Sequence, residues 1–108
     1  MKYVKRYYAV LGRYGDVSFL DEARKLLYML VGVENAASVQ LSVIRDTDWG
    51  FIMSMRDYSG RNARVLPFVL SLIRGNDCYL QCFAISGTLK ALSAKLKEMS
   101  IESATGMK

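Results

Sequence analysis

Ser86, Gly87, Thr88 and Lys90 are the residues of this chain whose types and spacing best suit the holding of an anion. They join the apolar run 82–85 to a basic amphipathic stretch that ends at Met99, so the pattern predicts a strand turning into a helix. Ser86 or Thr88 can cap that helix by accepting a bond from an unpaired backbone N–H. Gly87 lets the turn pack closely or bend sharply. A helix start presents free N–H groups and a partial positive charge, which suits a phosphate. Lys90 lies within the first turn, where a cation opposes the helix dipole. An anion beside it would offset that cost. An ordinary cap next to a solvated lysine has the same sequence, and both readings stand at this point.

Other cations gather in two places. Lys2, Lys5, Arg6 and Arg13 flank the first apolar run, and Arg56, Arg61 and Arg64 follow a later one. The chain has 15 Lys and Arg against 10 acidic residues, a net charge of +5 that suits a polyanion partner. A solvated rim is the plainer explanation. Tyr8, Phe51, Tyr79 and Phe83 are candidate rings for stacking on bases, as in RNA-recognition motifs. The stretch 49–55 keeps only the Gly-Phe of that motif and lacks its later rings, which favours a core role for most of them.

Protein-borne catalysis finds little support. There is no histidine, which removes the commonest general base, metal ligand and pH switch. The acidic residues are scattered, and no triad can be assembled. No catalytic or metal-binding residue is expected. Cys78 and Cys82 lie four apart in a strand-like run, roughly 13 Å between Cα atoms, too far for a disulfide. Free thiols in a reducing compartment are expected. The longest apolar run, 26–33, contains Gly32 and is too short to span a bilayer. These features predict a cytoplasmic protein with no membrane partner.

The elements that must position these residues follow from periodicity. Residues 5–12 read as a strand. Ser18 opens a helix, with Asp21 completing a capping box and Gly32 ending it. Its apolar face holds Leu20, Ala23, Leu27, Leu30 and Val31. Residues 36–45 alternate, with Ala37, Val39, Leu41 and Val43 on one face. Asp46-Thr47-Asp48 turns the chain into a strand over 49–56, with Trp49, Phe51, Met53 and Met55 on one face. A helix is predicted over 61–74, in which Pro67 marks a kink or a late start. A fourth strand spans 77–85, a last helix 87–99, and a frayed tail 100–108. Residues 1–99 thus form one domain, and 100–108 a flexible tail, in a chain of 108 residues. Its class is α+β: a ferredoxin-like (RRM-like) sandwich with a four-stranded antiparallel sheet, helices, and a C-terminal helix. The second sheet face is open, or covered by a partner or by the final helix. The apolar residues of the second helix cover roughly 200° of its wheel, twice what a surface helix needs. Val65, Phe68, Val69 and Leu72 are therefore candidates for a protein interface.

Lys5-Arg6-Tyr7, Gly50-Phe51-Ile52 and Phe83-Ala84-Ile85-Ser86-Gly87-Thr88-Leu89-Lys90 together resemble a known family. It is the small ferredoxin-like protein subunit of archaeal and eukaryotic ribonuclease P, called component two in archaea. The family pattern at the last site is Gly-Val-Ser-Gly-Thr, an aliphatic residue, then Lys or Arg. Ala84 and Ile85 stand here for Gly-Val. In the third strand Met53 occupies a position where members often carry Arg, and Arg56 lies three residues on. The resemblance spans about residues 5–97 and implies a non-catalytic subunit of an endoribonuclease whose RNA carries the catalytic magnesium. It implies ribonuclease P RNA and precursor tRNA as partners, a barrel-type protein subunit (component three), and a possible homodimer within a heterotetramer. No cofactor is implied for the chain itself. The candidate RNA-binding residues are Lys5, Arg6, Arg56, Arg61, Arg64, Ser86, Gly87, Thr88 and Lys90. The alternatives are a stand-alone single-stranded RNA-binding module and a regulatory domain without an RNA role.

Overall fold

In the computed structural model, which describes residues 3–14, 18–32, 39–58, 62–73 and 80–99, four strands and three helices follow one another. They are β1 (Val4–Leu11), α1 (Phe19–Val31), β2 (Val39–Asp46), β3 (Gly50–Asp57), α2 (Leu66–Leu72), β4 (Gln81–Ser86) and α3 (Leu89–Glu98). The strands form one antiparallel sheet in the order β2-β3-β1-β4. β2 and β3 make a hairpin closed at Thr47, whose N–H donates to the Gly50 carbonyl at 2.8 Å and whose hydroxyl accepts from the Gly50 N–H at 3.0 Å. Gly50 is required where β3 meets β1. A Cβ there would lie 2.0 Å from the Val10 carbonyl oxygen.

Alternation along the strands gives each sheet face its own residues. On the first face Tyr8, Val10, Val39, Phe51, Met53 and Met55 pack beneath Phe19, Ala23 and Leu27 of α1 and Leu66, Val69 and Leu70 of α2. Burying each large side chain contributes about 1.5–3 kcal/mol. Tyr14, Phe19 and Phe51 meet ring to ring, with centroids 4.7 to 5.4 Å apart. The second face carries a smaller core. Ala9 and Ile52 lie under Leu92 and Leu96 of α3, with Tyr7, Trp49, Phe83, Ala84 and Leu89 around them. α3 lies over β4 and β1. It covers only part of this face, since Gln40, Ser42, Ile44 and Arg56 remain exposed. Of the three expected fates for the face, two are each realised in part: the final helix covers one portion and the other is open.

Several expectations need correction. The second helix is shorter than 61–74, because Pro67 occupies its first turn. There its missing N–H has no helical partner to lose, so proline marks a start and not a kink. Residues 61 and 74 lie outside the described residues, as do the 77–79 stretch of the expected fourth strand and the 100–108 tail. Trp49 does not share the face of Phe51. It precedes β3 and joins the second core, where its ring meets Phe83 edge-on at 5.1 Å. Phe83 reaches that face through a bulge, since Ala9 pairs with Ala84 while Val10 pairs with Cys82. Ser18 holds helical dihedrals and makes no side-chain cap bond. Its carbonyl accepts from the Asp21 and Glu22 N–H groups instead. Leu30, expected in the apolar stripe of α1, is exposed. Among the described residues no helix is long and apolar enough to cross a membrane.

Candidate nucleic-acid interface

The turn from β4 into α3 is built around Thr88. Its backbone is extended, and its hydroxyl accepts from the Ala91 N–H at 3.0 Å. Thr88 is thus the cap, while Ser86 is the buried last residue of β4, opposite Tyr7. Gly87 is exposed and departs from the role expected of it. Its φ is not left-handed, and an added Cβ would meet only the Arg6 Nη1 at 3.7 Å, ordinary contact. Neither a sharp bend nor close packing within the chain demands glycine there. Arg6 is held in place by donating to the Lys5 carbonyl at 2.9 Å. Arg6, Gly87, Thr88 and the exposed Lys90 therefore belong to one corner of the molecule. Lys95 lies further along α3 and donates to the Ile85 carbonyl at 2.5 Å.

The remaining cations separate by strand register. Arg6 sits opposite Met55, whereas Lys5 sits opposite Arg56, which in turn faces Gln40. Lys5 and Arg56 thus lie side by side on the second face, and Arg6 is on the first. The next row on the second face holds Ser42, Ser54 and Tyr7. The hydroxyls of Ser42 and Ser54 are 3.3 Å apart. A groove of about 370 Å³ runs here, lined by Lys5, Gln40, Ser42, Ile44, Ser54 and Arg56. The Lys5 ammonium is 5.3 Å from the Tyr7 ring centroid, and the Arg56 guanidinium carbon is 5.1 Å from that of Tyr3. Among the described residues neither Lys5 nor Arg56 is paired with a carboxylate. Arg13 belongs to the opposite end of β1, where it donates to the Thr47 and Asp48 carbonyls at 3.0 and 2.7 Å. It braces the hairpin turn. Arg64 is exposed in the turn before α2. Lys2 and Arg61 lie outside the described residues.

The rings are distributed differently from expectation. Tyr8 and Phe51 are fully buried in the first core and cannot stack on a base. Phe83 is engaged by Trp49, and Tyr79 lies outside the described residues. The rings on the uncovered part of the sheet are Tyr3 and Tyr58, 42 and 37% exposed, whose centroids are 5.4 Å apart. Sequence reasoning missed both. The signal for Tyr3 was the period-two pattern Tyr3, Lys5, Tyr7, which puts two rings and a cation on one strand face.

Of the proposed interface residues, Val69 is sealed in the core and Val65 is half-buried against it. Phe68 and Leu72 remain outside, 56 and 47% exposed. A second groove, about 580 Å³, follows the outer side of β4 between Pro67 and the α3 residues Lys95 and Glu98, with Met99 just beyond. Cys82 lies in it as a free, half-buried thiol. Burial pushes that thiol up to about 11, so it stays protonated near neutrality. Cys78 lies outside the described residues. The buried Asp57 carboxylate accepts from the Asn62 N–H at 2.6 Å and from its side-chain amide at 3.1 Å, which ties the end of β3 to the turn before α2. Among the described residues no group of three or more His, Cys, Asp or Glu could hold a metal ion. No family model matches the sequence, and no match to a curated protein is found.

Proposed function

We propose that this chain is a non-catalytic protein subunit of ribonuclease P that binds the catalytic RNA and supports removal of the 5′ leader from precursor tRNA. The observation that carries this reading is the Thr88-capped turn with Arg6 beside Gly87 and Lys90 in the first helical turn. It joins a helix start, two cations and an exposed glycine whose outer side is open, a suitable seat for a backbone phosphate. The strand order β2-β3-β1-β4 is compatible with a ferredoxin-like fold, as the resemblance implies. Lys5, Arg56 and Arg64, with Arg61 from outside the described residues, add phosphate-neutralising charge. Phe68 and Leu72 offer apolar surface to a barrel-type protein subunit, and a homodimer within a heterotetramer remains part of the reading. The magnesium ions reside on the RNA, and the chain binds no cofactor of its own. By neutralising phosphates the protein lowers the magnesium the folded RNA needs. The cytoplasm is its place.

A stand-alone module that stacks bases over the whole sheet face is less well supported, because α3 covers much of that face and Tyr8 and Phe51 are core. The test is reconstitution. Omitting this chain from an otherwise complete ribonuclease P mixture at low magnesium should sharply reduce precursor-tRNA cleavage. Undiminished cleavage overturns the proposal.

A further inference from the structure

We infer that the uncovered part of the second sheet face takes an unpaired nucleotide of RNA, its base against Tyr58 and Tyr3 and its phosphates on Lys5 and Arg56. This rests on the RNA-binding reading above and names the form of RNA that this site takes. The first argument is charge. Lys5 and Arg56 are direct cross-strand partners, and like charges so placed are destabilising. Among the described residues no carboxylate relieves them. A phosphate between them does.

The second argument is the rings. Tyr3 and Tyr58 are exposed at the end of the same face, one row beyond the cations. A folded duplex presents phosphates and hydroxyls but keeps its base faces stacked, so exposed rings serve only an unpaired base. Arg56 lies over Tyr3 at 5.1 Å, and a guanidinium held against a ring keeps its planar N–H fork available for a phosphate. The third argument is the polar lining of the groove, in the row of the cations and the row behind it. Gln40 and the paired hydroxyls of Ser42 and Ser54 line the groove, and an amide or hydroxyl both donates and accepts. An acidic peptide would satisfy the cations and leave the rings unused.

The test measures binding of the full chain to a short oligouridylate, to an RNA duplex with the same number of phosphates, and to an oligoglutamate peptide. Tyr58→Leu should weaken oligouridylate binding roughly tenfold, within the range for losing one base–ring stack, and leave duplex binding unchanged. Tyr58→Phe should restore it. Arg56→Gln should reduce the salt slope for the single strand by about 0.7. Photocrosslinking of oligouridylate should map to Tyr3 or Tyr58, a readout independent of any effect of substitution on folding. Equal loss for both RNAs, no loss for either, crosslinks elsewhere only, or peptide binding as tight as oligouridylate overturns the inference. If Tyr58→Leu is silent while omission of the chain still impairs tRNA processing, the inference fails alone. If ring-dependent binding holds while processing needs no such chain, the ribonuclease P reading fails alone.

Discussion

The Tyr8 hydroxyl donates to the Ala63 carbonyl at 3.0 Å, tying the central strand to the turn that delivers α2. The two residues are 55 positions apart, so the bond closes a long loop between sheet and helix. Burial pushes the Tyr8 phenol far above its usual range, with Cys82 adding to the shift, so it remains a donor at any physiological pH. Tyr8→Phe keeps the ring and removes the bond. It should lower stability by about 1 kcal/mol, read as a lower urea midpoint with an unchanged slope, and leave RNA affinity intact.

Thr88 and Gly87 should respond in opposite ways. Thr88→Ala removes the cap on the Ala91 N–H and should cost about 1 kcal/mol, with Thr88→Ser restoring most of it. Gly87→Ala meets only ordinary contact and reduces the freedom of the unfolded chain. It should hold stability or raise it by up to about 1 kcal/mol. If RNA lies against this turn, the same methyl group weakens RNA binding. Thermal melts beside filter-binding titrations separate the two effects.

Gly50 should tolerate nothing larger. The methyl of Gly50→Ala would collide with the Val10 backbone oxygen, and no rotamer change can relieve a backbone clash. The two central strands must move apart, at a cost of about 3 kcal/mol, the upper end for overpacking. Chemical denaturation measures it directly.

Alkaline pH should weaken the fold through Cys82. Its thiol is raised from an ordinary value of 9.0 to about 11 in the folded protein. Between those values the folded state holds a proton that the unfolded chain releases, so stability falls as pH rises through that window. Cys82→Ser should flatten this part of the profile. Alkylation of Cys82 near pH 8, followed by peptide mapping, should be slow in the folded protein and fast in urea.

Local periodicity made most of the fold legible. β2 shows its alternation plainly, with Val39, Leu41 and Val43 turned inward and Gln40 and Ser42 outward. What stayed hidden depends on contacts distant in sequence. Proline chemistry allowed both a kink and a start, and packing of Leu66 against the sheet selected the start. Phe83 departs from strict alternation because of a bulge, and the displaced ring recruits Trp49 to the same side. The Lys5–Arg56 pairing needed the β1–β3 register, which no window of sequence contains. The capped turn was readable in sequence because cap, glycine and lysine are neighbours in the chain. Which of its two hydroxyl residues does the capping was not, since Ser86 is held by the last rung of the ladder opposite Tyr7.

α3 roofs the smaller core and also begins at the exposed corner of Arg6, Gly87 and Thr88. A ligand that fixed that corner would also fix the start of the helix whose Leu92 and Leu96 cover Ala9 and Ile52. Occupancy of that corner should therefore be felt as slower amide exchange in the interior beneath it, at Ala9 and Ile52.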